Sequence, residues 1–389
     1  MLILKSICKK YAYKLLFISA LLITSYSLYA EQAKINAKTN KINIEEKIGQ
    51  LFIVGFAGLE VRANSDIIKL IDKFNISGVY LADIDDEGYA RNISGPEQLR
   101  QLVLSLQNYV KNKKKQKLFI AVEQEGGAMN SLHQLSGFNI GKNLSQQKLG
   151  FKEDSSVIYR QALHQGKELS RYGININFAP VLALSINRDS PVIARYERSY
   201  NFYANLVAKD AAAAVKGYQE ANINCTFKNF PGLGSAEYTP GVNIPDISRT
   251  WSDKELMPYK LLINSGQFCP LVMVSHVINR KLDASGVPAS LSKKVIKILR
   301  DRLKFRGAII SADMTRRDIL LYAKGGEAAA RALIAGNNLL LYIGHPPKQL
   351  LTLIPEVIYY LAAETKKNPA LLTAINNSYL RIQRMKEAL

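Results

Sequence analysis

Short uninterrupted apolar runs alternate along this chain with longer stretches in which apolar residues recur every three or four positions. The short runs are Leu51–Phe56, Ile76–Leu81, Leu118–Val122, Ile174–Phe178, Thr226–Phe230, Leu271–Val274, Ala308–Ile310 and Leu339–Tyr342, and they predict strands. Between them, Leu99, Leu102, Val103, Leu106 and Val110 follow Ser94-Gly95-Pro96 and predict a helix over Glu97–Val110. Asn205–Ala221, Lys254–Asn264 and Lys293–Leu303 carry the same periodicity, and Gln349–Lys386 reads as two helices split at Asn368-Pro369. Strand–helix repetition through the whole length argues an α/β fold with a largely parallel sheet. About eight such units fit a TIM-type (β/α)8 barrel better than an open doubly wound sheet. No GxGxxG follows the first strand, which disfavours a dinucleotide fold. A single barrel domain over residues 44–389 is expected, with no repeat and no low-complexity tract.

The strand candidates end in chemistry. Leu118–Val122 runs into Glu123-Gln124-Glu125-Gly126-Gly127, and Ile174–Phe178 into Ala179-Pro180-Val181. Thr226–Phe230 holds Lys228-Asn229 and turns at Pro231-Gly232-Leu233-Gly234. Leu271–Val274 ends in Ser275-His276, and Ala308–Ile310 in Ser311-Ala312-Asp313-Met314. Polar groups gathered at the carboxyl ends of successive parallel strands are the mark of a β/α-barrel site.

Residues 1–30 read as an export signal: Lys5, Lys9, Lys10 and Lys14 precede apolar Leu15–Ile23, and small or polar residues lead to Ala30. Residues 31–43 read as a polar tether, and an uncleaved anchor is the bland alternative, the one membrane contact expected. Loss of the signal removes four lysines and no acid, taking the net charge from +20 to +16. A basic exported chain fits an anionic envelope polymer or acidic lipid head groups, although a generally basic proteome explains the charge equally well. No aromatic-interleaved basic block points to nucleic acid. Cys225 and Cys269 open consecutive predicted strands, so a disulfide at the barrel floor and two buried free thiols both fit. No cysteine or histidine spacing suggests a metal, and no cofactor is expected.

Further segments complete the pattern: Glu45-Glu46-Lys47-Ile48-Gly49-Gln50-Leu51-Phe52, Asn177-Phe178-Ala179-Pro180-Val181, Lys228-Asn229-Phe230-Pro231-Gly232, Ser275-His276-Val277, Pro288-Ala289-Ser290-Leu291-Ser292 and Phe305-Arg306-Gly307. Their order and spacing, from Ile44 to the C-terminus, resemble glycoside hydrolase family 3, specifically its bacterial β-N-acetylglucosaminidase branch. The resemblance implies a retaining route, in which one carboxylate attacks the anomeric carbon and an acid about 5 Å away protonates the leaving oxygen. It places the attacking aspartate at Ala312, whose methyl cannot form a glycosyl ester. It places the branch's Asp-x-His dyad at Thr239, Pro240 and Gly241, and that branch's motif histidines at Asn229 and Leu233. No histidine lies between His164 and His276, so no local realignment recovers one. Glu123 stands where a sugar-gripping aspartate is implied, Ala128 where an arginine is, and Ala183 where an acid is. Arg198, Lys228, His276 and Glu125 match.

Three functions follow as expectations. The first is a member with lost or strongly impaired hydrolysis that binds N-acetylhexosamine-containing glycan, such as a peptidoglycan fragment, through Glu123, Glu125, Arg198, Lys228, Asn229 and His276. The second is an active β-N-acetylhexosaminidase with rewired groups, Glu237 supplying the acid and Asp313 or Glu125 the partner carboxylate. Alternation along a strand puts Ala312 and Asp313 on opposite faces, which weighs against Asp313 as a relocated nucleophile. The third is a protein-interaction scaffold. For Lys228 and Arg198 the bland alternative is an ion pair in the barrel mouth; for Glu125, a cap on the glycine turn; for His276, a satisfied hydrogen-bonded histidine. The 20 tyrosines offer stacking surfaces, but nothing in the sequence places them.

Overall fold

Strands β1 (Phe52–Gly55), β2 (Gly78–Tyr80), β3 (Phe119–Val122), β4 (Ile176–Asn177), β5 (Asn224–Phe230), β6 (Leu271–Val274), β7 (Ala308–Asp313) and β8 (Leu339–Tyr342) lie parallel and close a barrel. The expected (β/α)8 architecture is thus the observed one, and each strand falls on its predicted run. The computed structural model describes residues 42–84, 91–238, 243–344 and 349–389. The expected signal and nearly all of the tether lie outside them, as do Thr239, Pro240 and Gly241.

The runs are continuous rather than alternating because a parallel barrel strand is covered on both sides, by side chains inside and helices outside. Every residue of β1, β3, β6 and β8 is buried. In chain order the helices are α1 (Ile44–Gly49), α2 (Asp66–Phe74), α3 (Pro96–Asn112), α4 (Gln146–Gly150), α5 (Ser155–Arg171) and α6 (Ala204–Glu220). They continue as α7 (Met257–Asn264), α8 (Lys293–Lys297), α9 (Arg317–Tyr322), α10 (Gly325–Ala335), α11 (Leu350–Glu364) and α12 (Pro369–Glu387). In α3 the five periodic apolar residues are all buried, and Pro96 opens the helix, where its missing N–H costs nothing. Asn368 caps α12 by accepting from the Leu371 N–H at 3.1 Å, which is why the chain splits there. Two predicted helices are broken. Lys254–Asn264 divides into a 3-10 turn, Asp253–Leu256, and α7; Lys293–Leu303 divides into α8 and a wider π turn, Ile298–Arg302.

At the amino end of the barrel Cys225 and Cys269 form a disulfide, their Cα atoms 5.0 Å apart. It decides between the two readings of those residues: they are not free thiols. Beside it, a cavity of about 1130 Å³ is lined by Lys111, Lys114, Lys115 and Lys117. These lysines therefore lie at the opposite end of the barrel from the strand-end chemistry. They begin in the last turn of α3, where the helix dipole favours cations.

Candidate functional site

At the other end the βα loops are built by buried amides before any charge enters. Asn177, at the end of β4, accepts from the Gln124 N–H and donates to the Gln124 carbonyl, both at 2.9 Å, so the end of β4 is tied to the loop after β3. The Gln124 side chain accepts from the Ser131 and Leu132 N–H groups at 3.1 and 2.9 Å, closing a hairpin of Gln124–Gly126 with Met129–Asn130. Gly126 and Gly127 have φ of 108° and 66°. A Cβ on Gly126 would lie 2.4 Å from the Leu144 carbonyl oxygen, and one on Gly127 2.7 Å from Ser145 Cβ. Both glycines are therefore required by left-handed backbone and by close approach. Gln146 binds the Val181 backbone through both its oxygen and its nitrogen, at 2.8 and 2.9 Å, fixing the start of the next loop.

On this frame four charges meet. Arg198 grips Glu125 with two hydrogen bonds, Nε to Oε2 at 2.8 Å and Nη2 to Oε1 at 2.6 Å, and reaches Glu123 at 3.4 Å. The Lys228 ammonium sits between Glu123 and Glu125, paired with both. Two acids and two bases cancel, as burial demands. Burial alone pushes the Glu125 carboxyl up, but Arg198 and Lys228 outweigh it and hold it at about 2. Glu125 is therefore an anion at neutral pH. It is an ion-pair partner and not the cap on the glycine turn that one reading of the sequence offered.

Glu123, Arg198, Lys228, Asn229 and His276 border one cavity of about 240 Å³ at the barrel mouth; Glu125 stands behind it. The Asn229 amide nitrogen is buried there with no hydrogen-bond partner among the described residues. Both ring nitrogens of His276 are engaged, Nδ1 with the Ser290 hydroxyl at 2.6 Å and Nε2 with the Asp313 carbonyl at 2.9 Å. A carbonyl only accepts, so Nε2 carries the proton and Nδ1 accepts from Ser290. Burial pushes the ring down to about 4, which makes it the satisfied, neutral histidine of the bland reading.

Simple alternation separates Ala312 from Asp313, yet both residues border the cavity. The cause is a bulge at the end of β7. Leu339 pairs with Ile310 and Leu341 with Asp313, so an extra residue of β7 is fitted in between and strict alternation is lost. The Asp313 carboxylate is nonetheless engaged. Its Oδ1 accepts from the Thr315 N–H at 3.0 Å and from the Ile343 N–H at 2.9 Å, and the Thr315 hydroxyl lies 2.7–2.8 Å from both oxygens. That clamp ties the end of β7 to the end of β8.

Glu237 does not join the cavity; it is half-exposed and paired with Arg249. Sequence reasoning missed Arg316, which lines the mouth while bonding Asp318 through Nε and Nη2 at 3.2 and 3.1 Å. Its place directly after the Ser-Ala-Asp-Met-Thr segment was the available signal. It also missed Gln124 and Asn177, whose roles are in loop positioning.

This assembly, with Lys228 on β5, Ala312 on β7 and Arg198 on a long loop after β4, can be set beside known proteins. Residues 43–385 match the family described as "Glycosyl hydrolase family 3 N terminal domain". The chain belongs to glycoside hydrolase family 3. Among curated relatives, the beta-hexosaminidase of Idiomarina loihiensis is 28% identical over 292 residues, covering 74% of this chain and 82% of that one. Beta-hexosaminidase LpqI of Mycobacterium tuberculosis is 26% identical over 355 residues, covering 88% and 82%. Beta-hexosaminidase A of Pseudoalteromonas piscicida is 26% identical over 291 residues, and the match spans only 47% of that longer protein. Of solved structures, the family 3 beta-N-acetylglucosaminidase from Paenibacillus superposes with a TM-score of 0.77 at 29% identity, over 89% of this chain and 63% of that one. The beta-N-acetylhexosaminidase from Beutenbergia cavernae gives 0.78 at 22% identity, over 89% and 99%, a likeness of fold.

Proposed function

We propose that this protein is an exported family 3 barrel that binds N-acetylhexosamine-containing glycan, peptidoglycan first among them, and no longer hydrolyses it. The observation that carries this reading is a methyl group at position 312, in a cavity whose two carboxylates are already committed. Glu123 is held by Lys228 and Arg198, and Asp313 by Thr315 and Ile343. Glu125, an anion at neutral pH, has no proton to give. Without an attacking oxygen the covalent route has no first step, and loss of proton transfer removes a further factor of about 10²–10⁴. What stays in place suits binding: the Asn229 amide nitrogen, unpartnered among the described residues, and an ion-paired lysine and arginine beside it, donors for hydroxyl and acetamido oxygens. The names of the relatives favour an N-acetylhexosamine ligand. Export is supported by the signal-like residues 1–30 and by the disulfide, which persists in oxidising compartments.

The purified mature protein, incubated with a chromogenic N-acetylglucosaminide, is expected to release no dye, to melt higher with chitobiose and to sediment with insoluble peptidoglycan. Dye release that survives purification to homogeneity sinks the reading; failure to bind either glycan favours a protein-interaction scaffold.

One observation favours the rewired enzyme: the bulge brings Asp313 to the cavity wall beside Ala312. On that reading turnover is present and Asp313→Asn abolishes it, with Glu237→Gln reducing it.

A further inference from the structure

The loop that carries Arg198 inward has an outer side. Residues 178–203 run from the end of β4 to the start of α6, and their far flank, with the end of α4, encloses a second cavity of about 690 Å³. That volume lies in the range of ligand pockets, about 300–1,000 Å³. Phe151, Phe202 and Tyr203 line it while remaining 71%, 49% and 62% exposed. Phe202 and Tyr203 stand edge to face, with ring centroids 5.4 Å apart. Single exposed aromatics need no explanation, but three bordering one concavity form a patch.

Local folding does not account for them. Tyr203 occupies the N-cap of α6 and makes no side-chain cap, at a position where Ser, Thr, Asp or Asn adds about 0.5–2 kcal/mol. The chain forgoes that gain to present a ring. The same wall carries Arg188 and Gln147, whose side chains make no hydrogen bond or ion pair to the other described residues, and among the described residues no acid lines the cavity. Exposed ring faces pack on the C–H face of a pyranose, while an amide and a guanidinium bind its hydroxyls and acetamido carbonyl. Both contributing loops follow the carboxyl ends of strands, on the face that holds the mouth, and Ser199 and Tyr200 directly follow Arg198.

We propose that this aromatic cavity is a second glycan site, taking another N-acetylhexosamine unit of the polymer engaged at the mouth. The inference rests on the glycan-binding reading above, and two points on one face make retention of a polymer an avidity effect that short sugars do not show. The test compares the wild type, Phe151→Ala/Phe202→Ala/Tyr203→Ala, and Ala312→Trp, which fills the mouth, for binding to chitobiose, chitohexaose and insoluble peptidoglycan. Thermal melting checks that each variant folds. The triple variant is expected to keep chitobiose affinity within about twofold and to lose at least about tenfold in polymer retention, while Ala312→Trp loses chitobiose and keeps weak chitohexaose binding. Polymer retention by the triple variant within twofold of wild type overturns the second site, and is the outcome if the rings serve a protein partner. If Ala312→Trp leaves chitobiose binding unchanged, the mouth reading fails by itself; if the wild type binds none of the three, both fail.

Discussion

At the scale of single residues, two buried groups titrate in opposite senses around the site. His276 has its folded value lowered from 6.5 to about 4 by burial. Between those values the unfolded chain binds more protons, so His276 adds stability that is complete above pH 6.5 and is lost as the pH falls towards 4. Glu255 lies under the turn after β5, where it accepts from the Ser235 hydroxyl at 2.6 Å; burial raises it from 4.5 to about 7. Here the folded chain binds more protons, so its contribution is complete below pH 4.5 and fades as the pH rises towards 7. Across pH 4.5–6.5 the two slopes oppose each other, and the wild-type protein should show a shallow stability profile in that window. Glu255→Gln should expose a rise with pH, and His276→Asn a fall. Urea unfolding at pH 4.5, 5.5 and 6.5 measures all three, and parallel profiles for the two variants refute the assignment.

At the scale of elements, the disulfide joins β5 to the segment before β6 across 44 residues. Closing a loop of that length in the unfolded chain contributes about 2–4 kcal/mol. Reductant should therefore lower the urea midpoint of the wild type, and Cys225→Ala/Cys269→Ala should start low and not respond to reductant. No shift on reduction contradicts the pairing. The sequence made the strands legible because burial on both faces leaves unbroken apolar runs, and α3 and α12 legible because proline and asparagine mark their starts. The arrest of the helix over Lys293–Leu303 in a π turn was not legible; Phe305 N–H bonds the Leu299 carbonyl there, a constraint set by the approach to β7. Nor was the β7 bulge, which is a property of the β7–β8 register and interrupts the strict alternation that the sequence alone assigns. The cysteines shared one level at the barrel floor as their strand positions suggested, but pairing needed the 5.0 Å separation that only closure supplies.

At the scale of the whole molecule, closure brings together groups that the sequence holds far apart: Lys228 and Glu123 are 105 positions from one another, Arg198 and Glu125 are 73. Strand-end placement offered an ion pair in the barrel mouth as one reading of Lys228 and Arg198, but not that Glu123 and Glu125 together neutralise both, which turns four site residues into one net-neutral wall. If that wall still seats a sugar, the missing piece is the attacking oxygen, and Ala312→Asp restores one where the cavity has a methyl. An ordinary glycoside should remain inert in this variant, because no described group stands ready to protonate its leaving oxygen. A 2,4-dinitrophenyl N-acetylglucosaminide needs no such help. The introduced carboxylate oxygen bonds the anomeric carbon, the bond to the phenolic oxygen breaks, and dinitrophenolate departs with the electron pair. Water must then be deprotonated to release the sugar, and with His276 bonded on both ring nitrogens and Glu125 locked in its ion pairs the ester should persist. The expected result is one equivalent of dye and a protein heavier by a single N-acetylhexosaminyl unit, with no adduct on the wild type. An adduct on the wild type means that a native carboxylate already attacks, and the rewired reading replaces this one. A variant that binds chitobiose yet releases no dye means that the bound sugar's anomeric carbon lies away from position 312, and the mouth then holds glycan in a pose unrelated to hydrolysis.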